Sequence, residues 1–586
     1  MKLDKLSRRT MIRQHGDLGL AGHADTLAVV AVMGLLTLMV SPDLMPSYAQ
    51  INAYDEARYV ESGYLMLAGE VRDLAWGPLV ALVYAPLHLL VGGSPDWFII
   101  EAGLGRILMF VALLSSTYYL ALQLKKQIGK YHVLGIMFIS TAYLETLENP
   151  SDALFVVFSA LLMAKVIAFE ESGRAADIAA ASAFLGLAVL CRFEGLILIV
   201  ALLLVVGLTH TSWATRSRAV LASVAPAGLV LAIYLLVFHL TSPGAGLGIG
   251  SKAYAAFEAN QPIPGSTTQS DQQEVARSLF GTQEENRGSV LVAILRNPLG
   301  FGRRLLAVGS QLPDLYLDVF GRRVGPALML LAVVGGLSLL RTRKFRLLLI
   351  LLCWGLVPMV GLAFQPFHIM RQASGLIHIM SSVGVTSALV GVRPNVERRI
   401  TSVAAVLLAA YGLADGKLAL VVAGVLMAGA FLLMALGDVA AKASPAAGLR
   451  GPMLLLAAGL ILHGSYPFPD YSPIGTSTEE AVVHYLEGEF PPGSRILESL
   501  PLPAIAAKMT DVPWSAAPDD LDSPEELRDW LESEDIQVAL ADERDNPRPD
   551  LVALLEAELG SQFEIGHRSE GGRYRVFVLR PALKSP

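Results

Sequence analysis

The sequence has little cysteine and little charge. Only two cysteines occur among 586 residues, Cys191 and Cys353. Both lie inside apolar segments with neither disulfide nor metal-ligand spacing, so they give no information about redox compartment. Charged residues make up 17% of the chain, below the roughly 25% of soluble domains. Because hydrophobic residues reach 53% and the mean hydropathy is +0.52, the composition indicates an integral membrane protein.

Charge is also unevenly distributed. Residues 467–586 contain 24 acidic and 10 basic residues, whereas the other 466 residues carry a net charge of +7. This asymmetry predicts a transmembrane domain over 1–466 and a soluble, acidic domain over 467–586. The pattern of the second domain predicts a small α/β fold. Its predicted elements are helix 478–489, strand 494–500, helix 524–533, strand 536–542, helix 549–559 and a hairpin over 562–580.

Thirteen apolar segments are long enough to cross a membrane, and we find no internal repeat among them. The predicted spans are 26–41, 97–122, 131–147, 151–169, 175–191, 194–209, 219–241, 324–340, 346–364, 371–391, 400–414, 417–437 and 452–466. Segment 76–92 is short and contains Pro78, Pro86 and His88, and if it crossed the membrane fully, the basic cluster at 125–130 would fall outside. We expect it to be re-entrant or to lie at the surface, where protein covers its backbone.

Four basic clusters agree on one orientation. They lie at 125–130, 216–218, 341–346 and 393–399, and the positive-inside rule places all of them in the cytoplasm. The N-terminus is then cytoplasmic and the C-terminal domain extracytoplasmic, in a multi-pass protein of the cytoplasmic membrane.

Two long loops face outward in this topology. The first covers 42–96. The second covers 242–323, far more than a connector needs, with helical patterns at Gln272–Phe280 and Phe301–Ser310. A loop of this size on the outer face is a candidate lid or acceptor-binding element.

The first loop contains an acidic segment, Asn52 to Gly69, with helical periodicity. An apolar face is predicted for Ala57, Val60, Tyr64 and Leu67, and a polar face for Arg58, Glu61 and Ser62. That pattern suits a helix lying on a membrane surface. Asp55 and Glu56 stand at its start, where the helix dipole keeps carboxylates ionised and a base could reach a substrate. The alternative is that Asp55 only caps the helix.

Two motifs in this loop suggest a family. Tyr54-Asp55-Glu56-Ala57-Arg58-Tyr59, followed by a helix and Trp76-Gly77-Pro78-Leu79, resembles the first external loop of the GT-C superfamily of lipid-phosphosugar-dependent glycosyltransferases. The similarity is greatest to the branch of protein O-mannosyltransferases and the lipid A aminoarabinose transferase. The resemblance implies that Asp55 is the catalytic base, and that Glu56, like Asp152 below, orients the acceptor or binds a divalent metal. Many relatives read Lys-Pro-Pro-Leu at the second motif, so a lysine near the donor has no counterpart here.

Other charged residues fall near the outer membrane face, where charges are functional candidates. Asp152 resembles the second acidic position of the family. It could equally be a first-turn aspartate favoured by the dipole, in a helix capped by Ser151. Arg192 and Glu194 resemble an Arg-x-Glu-Gly motif of relatives. The arginine suits a lipid phosphate, although the two could simply form an ion pair.

Three further residues complete the candidate site. The resemblance implies phosphate binding by Arg106 and Arg371, for which structural pairing is equally open. His368 could support the site or bind a divalent metal together with Glu56, although His368 and His88 lack metal-motif spacing and could be ordinary hydrogen-bonding histidines.

The family resemblance implies transfer of a hexose or pentose from a polyprenyl-phosphate donor to a glycan, lipid or protein acceptor outside the membrane. Direct attack would invert the anomeric carbon. Neither nucleic acid nor a cofactor other than the divalent metal is expected. The alternatives are a transporter or flippase for a lipid-linked substrate, and a catalytically silent family member.

Overall fold

The computed structural model describes residues 44–51, 55–125, 149–209, 213–241, 269–310, 476–498, 501–518, 521–542, 548–569 and 574–579, except 73 and 95, with short stretches between 30 and 42 and at 147, 254, 257–258 and 353. The chain divides into two compact units. The first unit comprises 1–43, 69–80 and 106–467. The second comprises 44–68, 81–105 and 468–586.

Helices dominate the described residues. Those before residue 311 are α1 Asp55–Leu67, α2 Ala81–Val91, α3 Trp97–Lys125, α4 Pro150–Ser172, α5 Ala175–Cys191, α6 Ile197–Thr209, α7 Trp213–Thr241, α8 Gln269–Phe280, α9 Val290–Arg296 and α10 Pro298–Gly309. The C-terminal helices are α11 Thr476–Glu489, α12 Pro501–Ala506, α13 Pro524–Ser533 and α14 Pro549–Ala557. Short 3-10 turns lie at Leu74–Trp76, Pro78–Val80 and Phe193–Leu196.

In the first unit, α5 packs between α4 and α7. Gly186 lets α5 and α7 approach closely, because a Cβ at this position would lie 3.0 Å from the Cα of Ala227. The Ala227 amide, which follows Pro226 inside α7, donates a hydrogen bond to the Ser182 hydroxyl at 3.1 Å. Small residues therefore set the spacing of these helices, as is usual between membrane helices.

The long loop over 242–323, which the sequence predicts to be external, has an apolar core of its own in the first unit. Tyr254, Phe257, Phe280, Val290 and Ala293 form this buried cluster under α8, α9 and α10. The predicted helices at 272–280 and 301–310 correspond to α8 and α10, whereas α9 had not been predicted. The described part of the loop is thus a folded element.

The second unit contains a five-stranded sheet of β1 Arg495–Glu498, β2 Thr510–Pro513, β3 Ile536–Asp542, β4 Phe563–Arg568 and β5 Tyr574–Leu579. The strand order is β2-β1-β3-β5-β4. β1 pairs in parallel with β2 and β3, and β5 pairs antiparallel with β3 and β4. Because side chains alternate along strands, the sheet buries two faces: α11 and α12 cover one, and α13 and α14 cover the other.

Helices α1 and α2 pack tightly against each other in the second unit. The approach is possible because residue 63 is glycine: a Cβ there would lie 2.5 Å from the backbone carbon of Tyr84. Helix α12 of the C-terminal domain packs on α1. The first-loop helix and the C-terminal domain are thus parts of one compact unit, a grouping that the sequence-based division at residue 466 did not foresee.

Three described helices are long and apolar enough to cross a membrane: Trp97–Leu120, Pro150–Ser172 and Arg216–Thr241. They coincide with predicted spans 97–122, 151–169 and 219–241. Seven predicted spans, at 131–147 and throughout 324–466, lie essentially outside the described residues, so the total of thirteen stays a prediction. Helix α2 has 11 residues, or about 16 Å, which is too short to cross a hydrocarbon core of about 30 Å.

Burial along α1 follows the predicted apolar and polar faces only in part. Ala57 and Val60 are buried as expected, but Tyr64 and Leu67 are 43% and 44% exposed, and Ser62 is buried. Helix α2 crosses α1 near Gly63, so the buried face is set by that contact rather than by the most apolar stripe.

Candidate active site

Asp152, Arg192 and Glu194 form a charge cluster in the first unit. Arg192 contacts both carboxylates: its two terminal nitrogens lie 3.4 Å from Asp152 Oδ1 and 2.9 Å from Glu194 Oε1. The Asp152 side chain is fully buried, and that of Arg192 is 11% exposed. The sequence had placed these residues on one membrane face, and the structure brings them into contact.

The start of α4 fixes Asp152. The prediction that Ser151 caps this helix is wrong, because the cap is Asn149, whose side-chain oxygen accepts hydrogen bonds from the backbone N–H groups of Ser151 and Asp152 at 3.0 and 3.4 Å. Pro150 at the first helical position suits this arrangement. The Ser151 hydroxyl instead donates to Asn149 at 2.7 Å and accepts from Arg192 at 3.3 Å. Serine at 151 therefore links the helix cap to the charge cluster.

Arg192 lies between two helical segments, at the residue where the first ends and the second begins. Its backbone is extended, with φ −148° and ψ 115°, directly after α5 and before the 3-10 turn Phe193–Leu196. Asp152 and Glu194 each lie in the first turn of their segments, where backbone N–H groups favour a negative charge. Local helix ends therefore produce the cluster.

The cluster is not a simple anion site. If all three groups are ionised, two carboxylates outweigh one guanidinium, so a phosphate could reach Arg192 only by displacing a carboxylate. Among the described residues Glu194 Oε2 is buried without a hydrogen-bond donor. The arrangement as it stands favours a hydroxyl or amine donor over an anion.

Gly77 of the Trp76-Gly77-Pro78-Leu79 motif packs against this cluster. Its φ is +57°, a conformation that favours glycine, and a Cβ would lie 2.5 Å from the carbonyl oxygen of Cys191 and 3.2 Å from Ser151 Cβ. A side chain at this position would displace the residue preceding Arg192. The motif that lacks the relatives' lysine thus lies beside the cluster.

Asp55 and Glu56 lie at the start of α1, in the second unit. Both are buried, with exposures of 4% and 0%, in the first helical turn. Buried carboxylates are costly unless other groups compensate them, and the helix start supplies part of that compensation. Arg58 follows one turn later and pairs with Glu61 at 3.1 Å and with Asp511.

Of the remaining candidate residues, the structure describes Arg106 and His88. Arg106 is 1% exposed within α3. His88 forms a 2.7 Å hydrogen bond with Glu101, as expected of an ordinary histidine. His368 and Arg371 lie outside the described residues, so their roles stay predictions.

No cluster of three His, Cys, Asp or Glu side chains in the part of the chain that the structure describes could hold a metal ion. The divalent metal at Glu56 and His368 therefore rests on the sequence resemblance alone.

A solved structure shows a matching fold. The structure of ArnT from Cupriavidus metallidurans bound to undecaprenyl phosphate superposes with a TM-score of 0.51 and 14% identity, over 96% of this chain and 99% of ArnT. This chain therefore has the fold of ArnT. The apo structure of the same ArnT gives a TM-score of 0.48. The archaeal oligosaccharyltransferase AglB from Archaeoglobus fulgidus, in complex with an inhibitory peptide and a dolichol-phosphate, gives 0.45 at 12% identity, over 88% of this chain and 69% of AglB. No family model and no curated protein matches the sequence.

The sequence resemblance therefore predicted the fold that ArnT has, and sequence reasoning found the cluster of Asp152, Arg192 and Glu194. It missed Asn149, whose position before Pro150 is a helix-start signal. It also missed Asp511, because no local pattern joins residues 453 positions apart.

Proposed function

We propose that this chain is an integral membrane glycosyltransferase that moves a sugar from a polyprenyl-phosphate donor to an acceptor on the external side of the membrane. The observation that carries the proposal is the GT-C fold, which extends over nearly the whole chain. The ArnT structure with this fold contains undecaprenyl phosphate, a ligand of the proposed chemical class.

Asp55 is the proposed general base. The acceptor oxygen attacks the anomeric carbon, the bond from that carbon to the phosphate oxygen breaks, and the phosphate leaves with the electron pair. The acceptor proton passes to the Asp55 carboxylate. One displacement without an enzyme nucleophile inverts the anomeric centre. The first-turn position and burial of Asp55 suit a base shielded from bulk water.

The second acidic position has a supporting role in this proposal. Asp152 is oriented by Arg192 and by the Asn149 cap. Glu194 Oε2 is available to accept a hydrogen bond from an acceptor hydroxyl. Arg106 and Arg371 are the proposed cations for the leaving phosphate, because Arg192 is held by two carboxylates.

The test is transfer by the purified protein in lipid nanodiscs, supplied with a panel of undecaprenyl-phosphate sugars and candidate acceptors. We expect release of undecaprenyl phosphate with one donor, and a fall in kcat of about 10²–10⁴-fold for Asp55→Asn, the range for a lost general base. Asp177→Asn is the matched control, since Asp177 is also a first-turn aspartate of an apolar helix.

Three outcomes separate the alternatives. Wild-type turnover by Asp55→Asn would remove Asp55 as the base. Movement of the intact donor across the bilayer without cleavage would identify a flippase. Binding of undecaprenyl phosphate with no cleavage of any donor would identify a silent member.

The proposed orientation has its own test. In a variant with both native cysteines replaced, new cysteines at Gln272 and Ser523 should react with an impermeant thiol reagent in intact cells, and one at Thr342 should not. Reaction at 342 with protection at 272 would reverse the orientation and remove the acidic residues from the external face.

A further inference from the structure

The C-terminal domain contacts the helix that contains Asp55. Within the second unit, Arg58 of α1 meets Asp511 of β2 through two parallel contacts: one guanidinium nitrogen lies 2.7 Å from Oδ1, and the other bonds Oδ2. The two side chains are only 17% and 13% exposed. A two-point guanidinium–carboxylate pair fixes orientation as well as distance.

Two further contacts hold the same segment of the C-terminal domain. The Trp97 indole N–H donates to the carbonyl of Ala506 at 3.1 Å, and the Lys508 ammonium donates to the carbonyl of Gly92 at 2.7 Å. The Lys508 ammonium also lies 5.2 Å from the centre of the Trp97 ring. The segment from α12 to β2 thus contacts the α2–α3 turn as well as α1.

The backbone conformation of Lys508 is further evidence that the α12–β2 segment has a specific interface with the α2–α3 turn. Its φ is +56°, a left-handed conformation that favours glycine. A lysine there costs of order 1 kcal/mol of backbone strain. The contacts of its side chain with Gly92 and Trp97 give the reason for a lysine at this turn.

The charges around Arg58 make its pairing specific. Glu61 contacts Arg58 at 3.1 Å, and the buried carboxyl group of Glu498 lies near enough to interact electrostatically with the guanidinium. Burial works against the charged form of Arg58, but its hydrogen bonds to Asp511 and the charges of Asp511 and Glu61 outweigh burial and raise the pKa of Arg58. Removing the guanidinium would leave the carboxylates of Asp511 and Glu61 beside the buried carboxyl group of Glu498 without this cation.

Arg58 is three residues after Asp55, so the two side chains leave the same side of α1 one turn apart. A two-point bond at Arg58 therefore limits rotation of α1 about its axis, which is the motion that would turn Asp55 away from its working direction. We propose that Arg58 is a positioning residue, and that Asp511 of the C-terminal domain holds α1, and with it the proposed base, in the working orientation.

This inference rests on the proposed function, and its test uses two readouts that fail separately. The variants are Asp511→Asn, Arg58→Lys and the exchange Arg58→Asp with Asp511→Arg. For each single variant we expect kcat to fall about 10–100-fold, which is the loss of rate that a misplacement of about 1 Å causes. The KM for the donor should stay within about threefold of the wild-type value. The double variant, in which the two charges are swapped, should recover at least part of kcat. Arg528→Gln is the matched control, because Arg528 pairs with Glu532 on the exposed surface of the same domain.

The second readout is hydrogen–deuterium exchange of the amides of residues 55–67 in the full-length protein, which needs no substrate. We expect faster exchange in Asp511→Asn and Arg58→Lys, and none of this effect in Arg528→Gln. Unchanged hydrogen–deuterium exchange together with unchanged kcat in Asp511→Asn and Arg58→Lys would overturn the positioning role. Equal losses of kcat in these two variants and in the control Arg528→Gln would overturn it as well. A protein inactive with every donor would overturn the proposed function, while the exchange readout would still decide whether Asp511 holds α1.

Discussion

Arg192 and Arg58 are each held by two carboxylates, but the two groups are built from different parts of the chain. Arg192 meets Asp152 and Glu194 at helix ends of the first unit. Arg58 meets Glu61 one turn away and Asp511 in the C-terminal domain. The first group holds neighbouring membrane segments together, whereas the second joins two distant parts of the sequence. The two groups therefore differ in the sequence distance of the partners that each arginine joins, rather than in the type of ion pair.

The largest effect on stability is expected at Arg192. Replacing it by methionine leaves Asp152 and Glu194 buried without their cation, which should destabilise the fold by about 3–5 kcal/mol. The measurement is thermal unfolding in detergent. A triple variant that also carries Asp152→Asn and Glu194→Gln should recover most of the loss. An unchanged melting temperature in the single variant would show that this cluster is not the buried group described here.

A smaller loss should follow Gly77→Ala, which tests the packing beside Arg192. The left-handed backbone and the close approach to the Cys191 carbonyl should together cost about 2–4 kcal/mol. Gly173→Ala is the matched control: its φ is +65°, but nothing lies within 4 Å of the added Cβ, so about 1 kcal/mol is expected. Equal effects of the two changes would mean that the Cys191 contact contributes nothing.

Near Arg58, a pH effect is expected from Glu498. Burial raises the pKa of Glu498 well above its ordinary value of 4.5, and the charge of Asp511 adds to this, whereas Arg58 opposes it. A carboxyl group with a raised pKa in the folded state favours folding while it is protonated, and that contribution is lost as the pH rises through the raised pKa.

The melting temperature of the wild-type protein should therefore fall more steeply than that of Glu498→Gln as the pH rises above 4.5, the ordinary pKa of the carboxyl group. The two proteins should be most alike at the acidic end, where Glu498 is uncharged in both folded and unfolded chains. Parallel curves over the whole range would contradict a buried, titrating Glu498.

The smallest effect is expected at Arg174. Its nitrogen lies 3.1 Å from Asp177, within the distances found at Arg192, but its side chain is 71% exposed. Because water screens such a pair, Arg174→Gln should change the stability by less than about 1 kcal/mol. A loss as large as that of Arg192→Met would mean that burial does not distinguish the two pairs.

Local signals explain the parts of the fold that the sequence predicted well. Predicted helix 524–533 and strand 536–542 have the observed bounds. The helix follows Ser523, which caps it, and begins with Pro524, while the strand is a continuous apolar run. The charges at 152, 192 and 194 were likewise found because they stand at helix ends, where sequence periodicity changes.

Distant contacts explain the misses. Helix α12 and strand β2 are short and were not predicted, yet they contain or flank Ala506, Lys508 and Asp511, the residues that contact the first loop. The buried side of α1 likewise depends on a tertiary contact, because α2 crosses it near Gly63. A periodic pattern shows that a helix has two faces, but only its tertiary partners decide which face is covered.

The most direct test of the account is an experimental structure of the full-length protein with undecaprenyl phosphate bound. The sequence predicts that Asp55, Asp152, Arg192 and Arg371 begin or end different segments on the external side, and on this basis we expect them to surround one cavity. The lipid phosphate should lie within about 10 Å of Asp55, close enough for attack after small adjustments. Asp55 and Asp152 on opposite sides of the protein, or a phosphate bound far from both, would contradict the account.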